Sequence, residues 1–430
     1  MILGAGAAGL AAAHELTANG QNVLVLEARA RIGGRILTDS SMTGLGAPVE
    51  LGAEFIHGRS VAVFDWLRRA GDVPVDTGRE RWIRDGGRAM RRAEPLFEEL
   101  RRRLARIERP RTDLTLCDYL ERHRRALRPA VRTLACSLVE GFDAADPARI
   151  SAREVLEEWR GSASADAPTF RASRGFGAMI EAMRTSLPGE RTRLQCGTAV
   201  HTVRWRPGRV EIEALHNDEP FVVTARRVIV SLPLGVLQQA DAARGAVRFE
   251  PEARARRRAL TRLAMGPVTK LVLQFDRPFW EELSGGRYRY AAFFFAPGAP
   301  FPTFWTPVPV RVPVLTAWSA GPSALRLGGL EEREVLTHAV ASLRRLFGQR
   351  PYKAMLERVA WHDWQADPYA RGAYSYVLAS GSQARAAAAR AIDDTLYFAG
   401  EACDVDGEAG TVGGALNSGR RAAREVLDRV

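Results

Sequence analysis

Lysine is almost missing from this chain of 430 residues: Lys270 and Lys353 stand against sixty arginines. So uniform a choice is read as a global coding preference, and the arginine content by itself points to no partner. Long apolar runs are also lacking. None reaches the ~18 residues of a membrane-crossing helix, so no membrane partner is expected. Cysteine is sparse: Cys117, Cys136, Cys196 and Cys403 form no CxxC and no Cys/His spacing, so no metal centre is expected. Four scattered thiols fit a reducing compartment. No basic stretch and small-residue cleavage site precede "MILGAGAAGL", so no signal peptide is expected and a cytoplasmic setting is.

The net charge of +12 suggests nucleic acid, because clustered cations release counterions from phosphates. Here the cations are interleaved with acids. "EPLFEELRRRLARIE" places Leu96, Phe97, Leu100, Leu104 and Ile107 on one helical face and its charges on the other, which describes a solvated amphipathic helix. No nucleic-acid partner is expected.

What is present is a globular composition, 46% hydrophobic and 26% charged, at a length that suggests two closely packed domains. The chain opens as strand, glycine turn, helix and strand: "MIL", "GAGAAGLAAAHELTANG" with a C-cap at Asn19-Gly20, then "NVLVLEA". Charged amphipathic helices fill about 61 to 160. The period then changes to two: "TAVHTVRWRPGRVEIEAL" reads as two strands around Pro207-Gly208, followed by "FVVTARRVIVSLPLGVL". "VTKLVLQF", "RYAAFFF" and "VPVLTAWSA" form a second strand-rich block, with a helix after it at about 331–347. "ARAAAARA" reads as helix, and "LYFAGEACDVDGEAGTVGGALNSGRRAAREVL" as strand, glycine loop and helix. The two ends share one grammar. The fold class expected is α/β, with a Rossmann-type domain assembled from 1–58, 173–240 and 385–430 and a mixed α+β substrate domain, 59–172 and 241–384, inserted into it.

Gly4, Gly6 and Gly9 form a GxGxxG pattern between strand and helix. Gly4 allows the tight turn, Gly6 lets backbone approach a pyrophosphate, and Gly9, beside Ala8, lets helix and strand pack closely. Glu27 ends the second strand, where a carboxylate can accept both ribose hydroxyls of an adenosine.

The following residues, "EARARIGGR", run from Glu27 through Ala28 and Arg29 into a second glycine loop, Gly33-Gly34-Arg35. This resembles the E-A-x-x-R-x-G-G-R signature of the flavin-containing amine oxidases, a family that includes monoamine and polyamine oxidases and the lysine-specific histone demethylases. The resemblance implies FAD. It places Gly33, Gly34 and Arg35 at the pyrophosphate and Leu51, Gly52, Ala53 and Glu54 of "VELGAEFIHG" beneath the flavin ring. It puts the backbone of Val200 at the adenine. Gly400, Glu401, Gly410, Thr411, Val412 and Ala415 are assigned to the ribityl chain and ring. The likeness extends from residue 2 to about 425, with the motifs in order.

The resemblance also gives the rare lysine a role. "GPVTKLVLQFDRPFW" is similar to the family strand whose lysine holds a water at flavin N5. A guanidinium is bulky, planar and permanently charged, whereas an ammonium is a compact donor, so arginine is no substitute. The implied reaction is oxidation of a C–N bond: hydride passes from the α-carbon of a neutral amine to the flavin, water hydrolyses the iminium, and dioxygen becomes peroxide. "WHDWQADPYARGAYSYV" resembles the strand before the flavin, with Tyr374 as one cage wall and Trp364 as an aromatic near the ring.

Three departures bear on the substrate. Ala373 stands where monoamine oxidases carry a flavin-linked cysteine, which implies non-covalent FAD. Thr411 stands where they carry a second cage tyrosine, and His57 matches a histidine of animal polyamine oxidases, so a polyamine is favoured and His57 is expected to meet a distal amine. The demethylases' helical insertion and chromatin-binding domain have no counterpart in these residues, so histone demethylation is not expected. Only "MIL" precedes Gly4, a shorter first strand than the family's. The chain is expected to act as a monomer or homodimer on a small amine and O2. An L-amino-acid oxidase or tryptophan-type monooxygenase, needing an arginine for the substrate carboxylate, is the alternative. A phytoene-desaturase-type flavoprotein and a non-enzymatic flavin scaffold rank below it.

Overall fold

The computed structural model describes residues 1–39, 45–84, 86, 89–108, 110–159, 167–240 and 243–429. At its centre is a parallel sheet whose spatial order is Thr192–Gln195, Val23–Leu26, Ile2–Leu3, Val228–Val230 and Leu396–Phe398. Strands from both ends and the middle of the chain thus lie side by side. Four of the five are apolar throughout, as strands covered on both faces should be, apart from the Tyr397 ring; the edge strand Thr192–Gln195 is polar and partly exposed. Ile2, Val25, Ile229 and Tyr397 enter one core with the helices Ala7–Ala18, Val61–Arg69, Phe176–Thr185 and Val412–Leu427. Their neighbours Leu3, Leu26, Val228, Val230 and Phe398 enter another, under the antiparallel strands Thr198–Arg206 and Arg209–His216 and the helix Ala384–Ala389.

Small side chains set how closely these layers approach. A Cβ on Gly419 would overlap the carbonyl of Ala8, so the first and last helices touch backbone to backbone. The alanine-rich opening of Ala7–Ala18 is what that contact requires.

A second, seven-stranded sheet runs in the order Leu356–Trp361, Val268–Phe275, Val314–Ala320, Thr303–Trp305, Phe293–Phe295, Arg81–Ile83 and Arg91–Arg92. Along Val268–Phe275 the period of two sends Leu271, Leu273 and Phe275 into a core with the helix Glu332–Phe347. Val268, Lys270 and Val272 are therefore left on the opposite face. The helices Glu94–Ala105, Leu116–Arg122, Pro129–Phe142 and Ala152–Glu158 pack over that side around Tyr119, Val131 and Val155.

Two apolar stretches divide differently from their sequence pattern. "FVVTARRVIVSLPLGVL" contributes Glu219–Ala225 to the antiparallel sheet, Val228–Val230 to the parallel one and then the short helix Leu234–Leu237. Of "RYAAFFF" only Phe293–Phe295 is strand, because the preceding residues turn after Gly285 and Gly286, both at positive φ.

Candidate active site

Both sheets end on one cavity of about 1300 Å³, larger than the ~300–1,000 Å³ usual for a small-ligand pocket. One end is a cradle made from the two glycine loops. They are stitched together by a bridge between Gly6 and Gly33, with the Gly33 N–H donating to the Ala5 carbonyl at 2.9 Å. Gly6 precedes the helix Ala7–Ala18 with an ordinary φ of −77°, and a Cβ there would lie 3.9 Å from the nearest protein atom. Neither backbone geometry nor packing demands glycine at this position, and the missing side chain leaves the cavity open here. The first helical N–H groups, with no side-chain cap, face the same space. Glu27 accepts the Ala5 N–H at 2.9 Å and the Arg29 N–H at 3.0 Å, which fixes a buried carboxylate on the cavity wall. Arg29 is held by Asp367 at 2.7 Å.

Every site residue expected from sequence lines this cavity except Gly9. Gly9 stands behind the wall: a Cβ there would overlap the Gly4 carbonyl oxygen, so its part is packing of helix on strand. Gly52 is similar, closed in by the Arg35 carbonyl and by the Trp364 ring at 3.2 Å from a hypothetical Cβ. Trp364 is buried, donating from Nε1 to the Leu51 carbonyl at 2.8 Å. Thr411 caps the helix Val412–Leu427, accepting the Gly414 N–H and donating to the Glu408 carbonyl at 2.6 Å. Arg35 reaches Glu401 at 2.8 Å and the Ala373 carbonyl at 2.7 Å, and Glu401 also accepts from the Ser375 hydroxyl at 2.7 Å. The two residues assigned to different parts of the cofactor therefore hold each other.

Lys270 lies at the other end, 2% exposed, at a corner of the cavity. Its ammonium donates to Glu54 Oε2 at 2.7 Å and to the Gly52 carbonyl at 3.2 Å. Glu54 Oε1 accepts from Arg171 Nε at 2.7 Å and Trp305 Nε1 at 2.9 Å. Burial disfavours a charged carboxylate here, but Lys270 and Arg171 outweigh it and hold Glu54 below the usual range. Nearby Glu50 has only neutral donors, the Phe176 N–H at 2.6 Å and the Thr38 hydroxyl at 2.9 Å, and burial pushes it up to about 7.

Tyr374 and His57 face the space between. The Tyr374 hydroxyl donates to the Phe142 carbonyl at 2.6 Å. Burial, with Asp143, Glu158 and Glu401 around it, pushes the phenol well above its ordinary value. The His57 ring meets Phe142 edge-on at 4.7 Å, and burial pushes it down to about 4, so it is neutral at physiological pH. Beyond them Glu140, Glu154, Asp143 and Glu158 line the wall, each pushed up by burial, Asp143 and Glu158 being hydrogen-bonded neighbours. Among the described residues eleven acids line the cavity against seven lysines and arginines, in a chain whose net charge is +12.

Sequence reasoning missed Arg171, Trp305, Asp143, Glu158 and Arg385. Only Arg385 left a local trace, as the lone charge in the helix Ala384–Ala389; the others have no spacing relation to the residues they meet.

Residues 7–427 match the family model for flavin containing amine oxidoreductase. The chain belongs to that family. Human lysine-specific histone demethylase 2 is 28% identical across 99% of this chain, and polyamine oxidase 4 of Oryza sativa subsp. japonica is 26% identical across 100% of it. This amine oxidoreductase chain spans 53% of the demethylase and 88% of the polyamine oxidase. Its fold is similar to that of putrescine oxidase (TM-score 0.80, 21% identity, covering 100% of this chain and 98% of that one). Cyclohexylamine oxidase from Brevibacterium oxydans IH-35A also has a TM-score of 0.80, at 19% identity.

The cofactor of the family is a flavin, and the cradle fits FAD. Gly6 leaves room for a pyrophosphate at a helix N-terminus, Glu27 offers a fixed acceptor for ribose, and the cavity continues past Val200, Gly400 and Ala415 to Lys270. Among the described residues no helix is long and apolar enough to cross a membrane, and no cluster of metal-ligating side chains occurs.

Proposed function

We propose that this protein oxidises a primary or secondary amine that carries at least one further cationic nitrogen, a di- or polyamine, and reduces dioxygen to hydrogen peroxide. The observation that carries this reading is the polarity of the cavity. Lys270 and Arg171 share the single carboxylate of Glu54 at one corner, whereas Asp143, Glu158, Glu154 and Glu140 gather four carboxyls on the wall around Arg385 and Arg326. An amine near Lys270 is favoured uncharged, because a like charge and desolvation both oppose its protonation. An ammonium against the acid wall adds counter-charge to carboxyls that burial holds high.

FAD, when bound, supplies the two-electron acceptor and passes the electrons to oxygen. The glycine loops and Glu27 hold its adenosine and phosphate end without a covalent bond, Ala373 offering no thiol. Lys270 presents a fixed donor at the reacting end. Trp305, Tyr374 and Phe142 exclude water, and the protonated Tyr374 hydroxyl, tied to Phe142, keeps that wall in place.

A peroxide-coupled assay tests this against spermidine, putrescine, benzylamine, several L-amino acids and a peptide bearing methyl-lysine. The expected order puts spermidine or putrescine highest in kcat/KM. A higher value for an amino acid would replace the reading with the amino-acid oxidase alternative, and one for the peptide would replace it with demethylation.

A further inference from the structure

A lysine ammonium has three N–H donors. Two of those on Lys270 go to Glu54 Oε2 and the Gly52 carbonyl, and the third has no acceptor among the described residues although the side chain lines the cavity. Glu54 is itself constrained. Arg171 and Trp305 both donate to Oε1, which leaves Oε2 for the lysine alone. The Trp305 ring then stands 5.6 Å from the ammonium, closing it off on that side.

We propose that Glu54 is the positioning residue for Lys270, serving as its buried counter-ion and turning its remaining N–H into the cavity. Arg171 acts through Glu54: it orients the carboxylate and draws off part of its charge. The charged groups that bear on Lys270 are Glu54 in contact, Arg171 across Glu54, and Glu50, which feels Lys270 without touching it. Arg171 comes from the strand Thr169–Ala172 and Trp305 from Thr303–Trp305, so three separate elements fix one donor. The consequence for catalysis rests on the amine-oxidation reading; the electrostatic claim does not.

The scarcity of lysine makes a direct test available. Protein labelled with 13C at lysine Cε carries two signals, Lys270 and the exposed Lys353, the second serving as internal reference. In the FAD-loaded protein, Glu54→Gln is expected to move the Lys270 titration down by about one pH unit or more, because a buried cation has lost its counter-ion. Glu54→Asp should restore most of it, and Arg171→Gln should move it upward, since Glu54 would then serve Lys270 alone. A merely structural glutamate would not shift the Lys270 signal in opposite directions through its two neighbours. If Glu54→Gln does not fold, Arg171→Gln carries the test. A Lys270 midpoint unchanged in Arg171→Gln, and in Glu54→Gln where it folds, overturns the proposal. Wild-type protein inactive on every amine, with the shifts observed, would instead sink the functional reading and leave this one standing.

Discussion

The cradle and the lysine corner line the same cavity but are made of different material. The cradle consists of backbone N–H groups, absent side chains and one fixed carboxylate, and its parts lie close together in sequence: Gly4, Gly6, Glu27 and Gly33 fall within thirty residues. At the corner, side chains make most of the contacts, with the Gly52 carbonyl beside them, and the partners are far apart. Glu54 and Lys270 are separated by 216 positions, and Glu54 and Trp305 by 251. A binding site built from local backbone geometry must be repeated in the local sequence. One built from tertiary packing is free to recruit its charges from anywhere.

The comparison sharpens most at two glycines three residues apart. Gly9→Ala places a Cβ on the Gly4 carbonyl, so the fold itself should fail, seen as loss of cooperative thermal unfolding. Gly6→Ala makes only ordinary contact with protein atoms, so the flavin-free protein should keep its Tm while its Kd for FAD rises at least about tenfold, the factor that ~1.4 kcal/mol represents. Equal effects of the two on Tm would mean that Gly6 serves the fold and not the ligand.

At the corner, Lys270→Met tests whether the donor is separable from the cradle. Removing one fixed charged donor at a reacting centre typically costs about 10²-fold in rate. The expected result is a fall of that order in kcat, with the FAD content of the purified protein unchanged. Lys353→Met, on the exposed surface, should change neither. FAD lost together with activity would merge the two regions into one.

That division also explains what could be read in advance. The discontinuous parallel sheet, the flavin loops and the position of Lys270 on a buried strand were all legible, because each is carried by a motif or by a period of two or 3.6. Which face Lys270 occupies came from the structure, where Leu271 and Leu273 enter the opposite core. The ion pair with Glu54 was not legible: Glu54 sits in a loop between two short strands, and nothing in "GAEFIHG" points to residues 171, 270 or 305. Nor was the Asp143–Glu158 pair, which exists only because the ends of Pro129–Phe142 and Ala152–Glu158 converge. Thr411 taught a smaller lesson. It matched a cage position in the motif, yet its hydroxyl is spent on a helix cap, which a Thr two residues before Gly413-Gly414 also allows.

His57 lies between the two regions and gives the smallest expected effect. It belongs by sequence to the glycine-containing "VELGAEFIHG" segment and by contact to Phe142 on the cavity wall. Burial favours its neutral form, with a value of about 4 against an ordinary 6.5. A neutral imidazole can accept a hydrogen bond from a distal ammonium without repelling it, and one such bond is worth about 0.5–1.5 kcal/mol. His57→Ala should therefore raise KM for spermidine roughly two- to tenfold and leave KM for benzylamine unchanged. The same shift has a consequence for stability. Between pH 6.5 and about 4 the unfolded chain binds a proton at this position that the folded one does not, so stability falls as the pH drops through that window. His57→Ala should flatten that part of the curve. A KM for spermidine that changes near pH 6.5 in the wild type and not in His57→Ala would show a charged imidazole in the site, and would move His57 out of the role of a neutral acceptor.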